Sequence, residues 1–347
     1  MKNIIKIIHS IFPYWIKCYC YNNSYILFIR RHIKNNFFNS ILLALSIPFM
    51  LINYLCLVIY EYVFGYNFIK KLNINDYSKS FKYEIALVCI SKNEGPYIKE
   101  WIEYYKLIGF SKFYFYDNES EDNTYEVLQP YINSGLVEYK LIKGKGQQLN
   151  AYNDAIKKHK HDCKYMAFLD MDEYLFPMSD KIQNISETIT QLLSEAGKGA
   201  SGLSINWCIF GSSNLKKRPK GLITENYIHR GDATHWGNFH VKTICNPRRV
   251  KKYISPHYPL YYPGAYSISD SNLQRQYGWF CHDVKWKSFR INHYYCKSQE
   301  DYIIKISRGL GDRIGNYNLK QFNDYDLNDI KDDSIVKYSK QINIKTI

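Results

Sequence analysis

The chain has 347 residues, enough for one large domain with an appendage, and it uses Tyr, Ile, Lys and Asn heavily. Its formal net charge of +14 would suit a nucleic-acid binder, but residues 1–83 hold ten Lys/Arg against two acids, Glu61 and Asp76, and so carry +8 of it. No DNA- or RNA-binding motif accompanies the excess, which sets a nucleic-acid partner aside. The nine cysteines form no CxxC pair, are odd in number and sit mostly in apolar runs. That pattern argues against a disulfide scaffold and favours reduced thiols in a cytosol-facing domain.

Residues 1–40 are basic and aromatic, too polar and too far ahead of the first apolar run to act as a simple cleavable signal. The uncharged run ILLALSIPFMLINYLCLVIY follows at residues 41–60. As a helix it would be about 30 Å long, the thickness of a bilayer core. Pro48 and Asn53 interrupt it, so it reads as a kinked span or as a broken helix entering one leaflet, with a buried apolar hairpin as the soluble alternative. The basic and aromatic flanks favour membrane association, single-pass or monotopic.

From residue 84 the texture changes to alternating strands and helices. EIALVCIS (84–91) is a strand, and PYIKEWIEYYKLIGF a helix opened by Pro96 and ended near Gly109. KFYFYD (112–117), LVEYKLI (136–142) and the apolar run 165–169 give three more strands, with helices at about 123–133 and 149–160. This order predicts an α/β domain with a mostly parallel, right-handed wound sheet. Beyond Pro177 a helix is expected at 181–196 and strands at 202–213 and 288–298. The Gly-, Pro-, His- and Tyr-rich stretch 218–283 predicts short strands at best. A helix is expected at 299–309, closing a catalytic domain of 84–310, and residues 311–347 read as a polar, frayed tail.

The chemistry concentrates at strand tips. The run 165–169 ends in Asp170, Asp172 and Glu173, and carboxylates at the tip of a buried strand call for a cation or a polar ligand. Asp-x-Asp there suits a hard divalent ion that keeps positions open for diphosphate oxygens, although an acidic helix-capping turn has the same composition. The polar loop 91–94 and the pair Asp117, Asn118 leave two other strand tips on the same sheet edge, a geometry able to hold a base and ribose. Taken singly, each could equally cap a helix. His229, His235, His240, His257 and His282 have no partner acids or cysteines at zinc spacing, so no zinc site is expected.

Five blocks, KNEGPYIKEWIEYYKLIGFSKFYFYDNESEDN, GQQLNAYNDAI, YMAFLDMDEYLFP, INWCIFGSSN and RINHYYCKSQEDYIIKISRG, together resemble glycosyltransferase family 92, close to the family 2-like enzymes, over about 84–309. The resemblance implies a GT-A fold and the inverting transfer of a sugar from a UDP-sugar donor to a glycan or glycolipid acceptor. Galactose is the sugar that characterised animal members move. The setting implied is surface-polysaccharide or glycoconjugate synthesis. It also implies that Lys92, Asn93 and Glu94 lie near the nucleotide, with Asp117 and Asn118 as the second contact and Gln148 close to the donor. Asp170 and Asp172 would be the DxD that holds manganese, and His293 a further metal ligand.

Lys242, Arg248, Arg249, Lys297 and Arg308 are candidates to neutralise the departing diphosphate. A base for the acceptor proton is sought among Asp232, Glu225 and Asp283. Asp232 is the first choice for its polar and aromatic surroundings, which include Trp236 as a sugar-stacking ring. Two other classes compete: a membrane-tethered glycan-binding protein with a degenerate site, and a metal-dependent phosphodiesterase or nucleotidyltransferase.

Overall fold

The computed structural model describes residues 80–315 and 317–342, with residues 41, 45, 48, 49, 51, 52, 55, 56 and 59–65 of the apolar segment. The basic stretch 1–40 and the rest of the expected membrane segment lie outside the described residues. Within the segment, Ile41, Leu45, Phe49, Ile52, Leu55 and Ile59 are helical and 41–76% exposed. Among the described residues no helix is long and apolar enough to cross a membrane. The segment ends in a turn, Glu61–Gly65, that touches the domain: a Cβ on Gly65 would meet the Gly264 backbone at 2.8 Å, so the two chains pass where only glycine fits.

The domain is α/β with a mixed sheet. Strand β1 (Tyr83–Ser91) leads to helix α1 (Gly95–Leu107), then β2 (Lys112–Asp117), helix α2 (Thr124–Asn133), β3 (Val137–Leu141), helix α3 (Gln148–His159) and β4 (Cys163–Phe168). β4 and β2 flank β1 and β3 pairs with β2, all in parallel. Five consecutive residues of β1 from Ile85 are at most 1% exposed, which explains its unbroken apolar run. After β4 come β5 (Glu173–Pro177), helix α4 (Ile185–Ala196), β6 (Ala200–Ile209), β7 (His229–Arg230) and β8 (Val241–Cys245).

β8 departs from the expected parallel pattern: it runs antiparallel between β4 and β6. The stretch 218–283 also holds more strand than its composition suggests, with β9 (Val250–Ser255), β10 (Tyr258–Tyr261), β11 (Tyr266–Ser269) and β12 (Arg275–Gln276). Strand β13 (Phe289–His293) runs parallel to β6 and antiparallel to β5. The main sheet order is β12-β11-β6-β8-β4-β1-β2-β3. The C-terminal tips of β1, β2, β4, β6 and β13 thus share one edge with the N-terminal end of β8.

Two apolar layers cover the sheet, one built on α1 with Trp101, Tyr104 and Tyr105, the other on α3 with Tyr152, Phe168 and Tyr253. Beyond β13, helix α5 (Gln299–Arg308) starts on a capping box between Ser298 and Asp301, and the expected frayed tail is not seen among the described residues that follow it. Helix α6 (Leu319–Tyr325), strand β14 (Ile330–Lys331) and the short helix α7 (Val336–Ser339) pack back on the domain, with β14 pairing β7. The expected boundary at residue 310 is therefore replaced by one domain running to residue 342. Its polarity misled because the contacts that hold it are ionic and backbone-mediated. Asp332 accepts two bonds from Arg290 at 2.7 and 3.0 Å and one from Arg230 at 2.8 Å. Gly211 has no room for a side chain, since a Cβ would meet the Leu327 carbonyl oxygen at 2.4 Å.

Burial pushes the Asp332 carboxyl up, but Arg290, Ser334 and Arg230 outweigh it and hold the group well below the usual carboxylate range. Asp332→Ala leaves the Arg290 guanidinium, whose side chain is 4% exposed, without its partner. The expected loss is about 3 kcal/mol of unfolding free energy at pH 7. The pair stabilises above the unfolded carboxylate value of about 4, and the effect is lost as pH falls toward the lower folded value. Urea titrations at pH 7 and pH 3 therefore show the gap between variant and wild type narrowing in acid.

Candidate active site

The acidic turn between β4 and β5 is fixed from both sides. The Glu173 carboxylate accepts from the Asp170 amide at 2.8 Å, and the Glu173 amide donates to the Asp170 carbonyl at 3.1 Å, closing a tight loop. One edge of β5 pairs with β13, and side chains of α1 serve the other. Trp101 Nε1 and Tyr105 Oη donate to the Glu173 carbonyl at 3.2 and 2.9 Å. Tyr105 Oη also accepts from the Leu175 amide at 2.9 Å, and Tyr104 Oη donates to the Leu175 carbonyl at 2.7 Å. Three aromatic residues of EWIEYY thus stand in for a missing strand.

Each carboxylate of the cluster meets a cation from elsewhere in the chain. Lys242 Nζ, on β8, lies 2.9 Å from Asp170 Oδ2 and 3.2 Å from Glu173 Oε2. Lys305 Nζ, on α5, donates to Asp172 Oδ2 at 2.7 Å and to the Tyr295 carbonyl at 2.9 Å. Glu94 holds Arg308 at 2.5 Å and Lys297 at 3.1 Å. Burial pushes the Asp172 carboxyl up, but Lys305 and His293 together hold it well below the usual range, so it stays ionised. Burial likewise raises Glu94, and Arg308 and Lys297 outweigh it. Glu173 goes the other way: burial, with Asp170 and Asp172 adding to it, pushes it up to about 8.

These groups face a cleft of about 310 Å³ along the shared strand edge. Of the residues expected at the nucleotide and metal, Lys92, Glu94, Asn118, Gln148, Asp170, Asp172 and His293 line it. Gln148 Nε2 donates to Asp170 Oδ1 at 2.6 Å. Asn118 Nδ2 holds the carbonyls of Ile142 and Gly144 at 3.0 and 2.9 Å, shaping the loop into α3.

Asn93 and Asp117 are not among the lining residues. Asn93 adopts φ 53° and zips the first strand-tip loop to the second, accepting from the Glu121 amide at 2.7 Å. Asp117 accepts from the Ser120 amide at 2.9 Å and from Tyr139 Oη at 2.7 Å. Asp232 also lies outside the lining. It is exposed and caps its own turn, accepting from the Thr234 amide at 2.9 Å and the Thr234 hydroxyl at 2.7 Å. Neither Glu225 nor Asp283 lines the cleft. Trp236 is 48% exposed and packs edge-on against Tyr325, a lining residue, at 5.1 Å.

Of the candidate diphosphate cations, Arg308 lines the cleft, whereas Arg248 and Arg249 bind backbone carbonyls of 160–164 and 198–200 away from it. Lys305, Tyr295 and Tyr317 line the cleft without having been singled out from sequence. The i, i+3 spacing of Lys305 and Arg308 on one predicted helix, just after His293, was the available signal.

The donor set suits a divalent ion at one point. Asp172 Oδ1 and His293 Nε2 are 3.5 Å apart, close to the ~3 Å between neighbouring ligands at ~2.1 Å bond lengths. Burial lowers the His293 imidazole against the opposing pull of the Asp172 carboxylate, which favours the neutral form that ligates. Among the described residues no three His, Cys, Asp or Glu side chains close a metal cage, so such an ion would have two protein ligands and open positions.

A mixed α/β sheet carrying an acid-and-cation cluster across its strand tips places a charged cleft at the sheet edge where open α/β sheets carry their ligands. Residues 86–346 match the profile of Glycosyltransferase family 92, and the chain belongs to that family. It is similar to family 92 proteins of Ricinus communis (26% identical, over 43% of this chain and 26% of that protein) and Oryza sativa subsp. japonica (28%, over 52% and 29%). The chain thus spans little more than a quarter of these relatives' length. Among solved structures it is similar to residues 1–349 of S. aureus TarS in complex with UDP-GlcNAc (15% identical, TM-score 0.32, over 47% of this chain and 45% of that one). Another is glucosyl-3-phosphoglycerate synthase of Mycobacterium tuberculosis (16%, TM-score 0.25, over 40% and 48%).

Tyr105→Phe removes the acceptor of the buried Leu175 amide and one donor to the Glu173 carbonyl. The expected cost is about 2 kcal/mol, read as a lower urea midpoint at unchanged slope.

Proposed function

We propose that the protein is an inverting, metal-dependent glycosyltransferase of GT-A type that moves a sugar from a UDP-sugar to a glycan or glycolipid acceptor. The observation that carries this reading is the ionised Asp172, placed between Lys305 and His293 on the floor of the cleft. Negative charge grows on the diphosphate as its bond to the sugar breaks, and stabilising that charge is the main task of such a site.

In this reading Asp172 and His293 would hold manganese, which would supply Lewis-acid stabilisation of negative charge. Lys305 and Arg308 sit on the same wall and offer further positive charge to the phosphate oxygens. Asn118 and the 91–94 loop shape the nucleoside end, and Gln148 orients Asp170. Trp236 and Tyr325, at the rim, offer apolar ring faces to an acceptor sugar. The outcome of the reaction would be surface polysaccharide or glycoconjugate, with galactose the first donor sugar to test.

UDP release from a panel of UDP-sugars, with manganese and with chelator, tests this directly. Manganese-dependent release from one donor is expected, falling at least a hundredfold in Asp172→Ala and by a similar factor in Lys305→Gln. Phosphodiester cleavage without sugar transfer would move the phosphodiesterase reading to the front. Glycan binding without turnover, unchanged in Asp172→Ala, would do the same for the binding protein.

We also propose that the exposed apolar side chains Ile41, Leu45, Phe49, Ile52, Leu55 and Ile59 seat the enzyme on a lipid surface, with the basic stretch 1–40 drawn to anionic headgroups. Co-sedimentation with vesicles containing anionic lipid is expected for the wild type. It should fall severalfold in the double variant Leu45→Glu, Phe49→Glu and persist in Asp172→Ala.

A further inference from the structure

The proposed transfer needs a group that takes the acceptor's hydroxyl proton, and the cleft restricts the choice. Its four lining carboxylates all face a cation already: Glu94 has Arg308 and Lys297, Asp170 has Lys242, Asp172 has Lys305, and Asp312 has Arg313 at 2.6 Å. The cations hold Glu94 and Asp172 below the usual carboxylate range, which makes these two poor proton acceptors. Asp232, exposed and tied to Thr234, lies outside the cleft.

Two neutral imidazoles line the same wall, His240 and His257, with ring centres 5.4 Å apart. His240 Nδ1 is 3.1 Å from the Gly237 carbonyl, which fixes that nitrogen as the donor and leaves the Nε2 lone pair open. Nε2 has no partner among the described residues. His257 is arranged alike, with Nδ1 3.0 Å from the Val241 carbonyl.

Their surroundings separate the two as proton acceptors. After burial, the largest influence that lowers His257 is the Lys242 ammonium, which disfavours a second positive charge beside it. For His240 the Gly237 carbonyl comes next after burial and supports the protonated ring, while His293, His282 and Lys242 oppose it. His240 also stacks on the Trp207 indole, with centroids 4.7 Å apart and planes 23° from parallel, and the edge of Phe280 lies 4.6 Å away. An indole face stabilises an imidazolium as it does other cations. His240 further lies on the acceptor side, 6.2 Å from Trp236. Burial holds the ring at about 4, so it enters the reaction unprotonated at neutral pH, with a basicity close to that of a free carboxylate.

We infer that His240 is the general base of the transfer, its Nε2 accepting the acceptor's hydroxyl proton. As that proton moves to Nε2, the hydroxyl oxygen's electron pair forms the bond to the anomeric carbon. The bond from that carbon to the diphosphate oxygen breaks with its electrons on UDP. His240 becomes an imidazolium stacked on Trp207 and later loses the proton to solvent. This assignment rests on the glycosyltransferase reading above.

The test uses the full chain, the UDP-sugar that the wild type turns over, and p-nitrophenyl glycosides as acceptor probes. His240→Gln is expected to lower the transfer rate 10²- to 10⁴-fold, with UDP affinity and thermal midpoint close to wild type. His240→Ala, assayed with added imidazole, is expected to recover part of the rate, which a merely structural role would not allow. His257→Gln is expected to slow transfer at least tenfold less than His240→Gln does. Transfer by His240→Gln at more than a third of the wild-type rate overturns the assignment, as does a rate loss that tracks UDP affinity. A loss confined to His257→Gln moves the proton to the other imidazole. Absence of transfer by wild type from every UDP-sugar sinks the glycosyltransferase reading and this assignment together, whereas intact wild-type transfer with an active His240→Gln sinks only the second.

Discussion

Negative charge packed at the end of a buried strand has to be balanced, and much of the molecule is arranged to balance it. Glu94, Asp172 and Glu173 are each at most 7% exposed, and none is stable there without a neighbouring cation or the loss of its own charge. Both solutions occur. Glu94 and Asp172 keep their charge because Lys297, Arg308 and Lys305 reach them, while Glu173, which shares Lys242 with Asp170, is pushed toward its neutral form. The cations come from β8, from the loop after β13 and from α5, so the charge balance closes only when these three parts have docked.

The antiparallel β8 makes sense in the same terms. A further parallel strand beside β4 would bring its C-terminal tip to the acidic edge. Reversing the direction brings the start of β8 there, and with it His240 and Lys242 in successive turns of chain. Lys242 is completely buried and reaches both Asp170 and Glu173. Such a lysine is a point charge with a flexible stem, suited to bridging two carboxylates whose positions are set by the turn they share.

The sequence carried the first half of the domain plainly. In β1, β2 and β4 the apolar runs are buried on both faces, and the helices that follow the strands have a 3.6-residue period, so local pattern and tertiary position agree. Asp170 and Asp172 were read from the strand tip and Gln148 and His293 from the family resemblance, and all four line one cleft. Asp232 illustrates the opposite case: its polar and aromatic neighbours are real, but they face a surface turn, and composition does not encode direction. The C-terminal stretch was misjudged because Asp332, Arg290 and Arg230 look like solvent-facing residues until they are seen to satisfy one another. Lys305 and Trp207 were hidden in the same way, since their roles depend on strands and helices that are distant in the chain.

The docking of α5 on the first strand-tip loop bears on how the chain reaches its final form. Lys297 meets Glu94 across 203 residues, and Arg308 meets the Lys92 carbonyl across 216. Closing such long loops is entropically slow, and these contacts complete the cleft wall itself. A ribosome that has made β1 to β5 has produced Glu94, Asp170, Asp172 and Glu173 but none of Lys242, Lys297, Lys305 and Arg308. The cleft wall is therefore completed late, when the segment 297–308 docks, and until then Glu94 and Asp172 lack the cations that balance them.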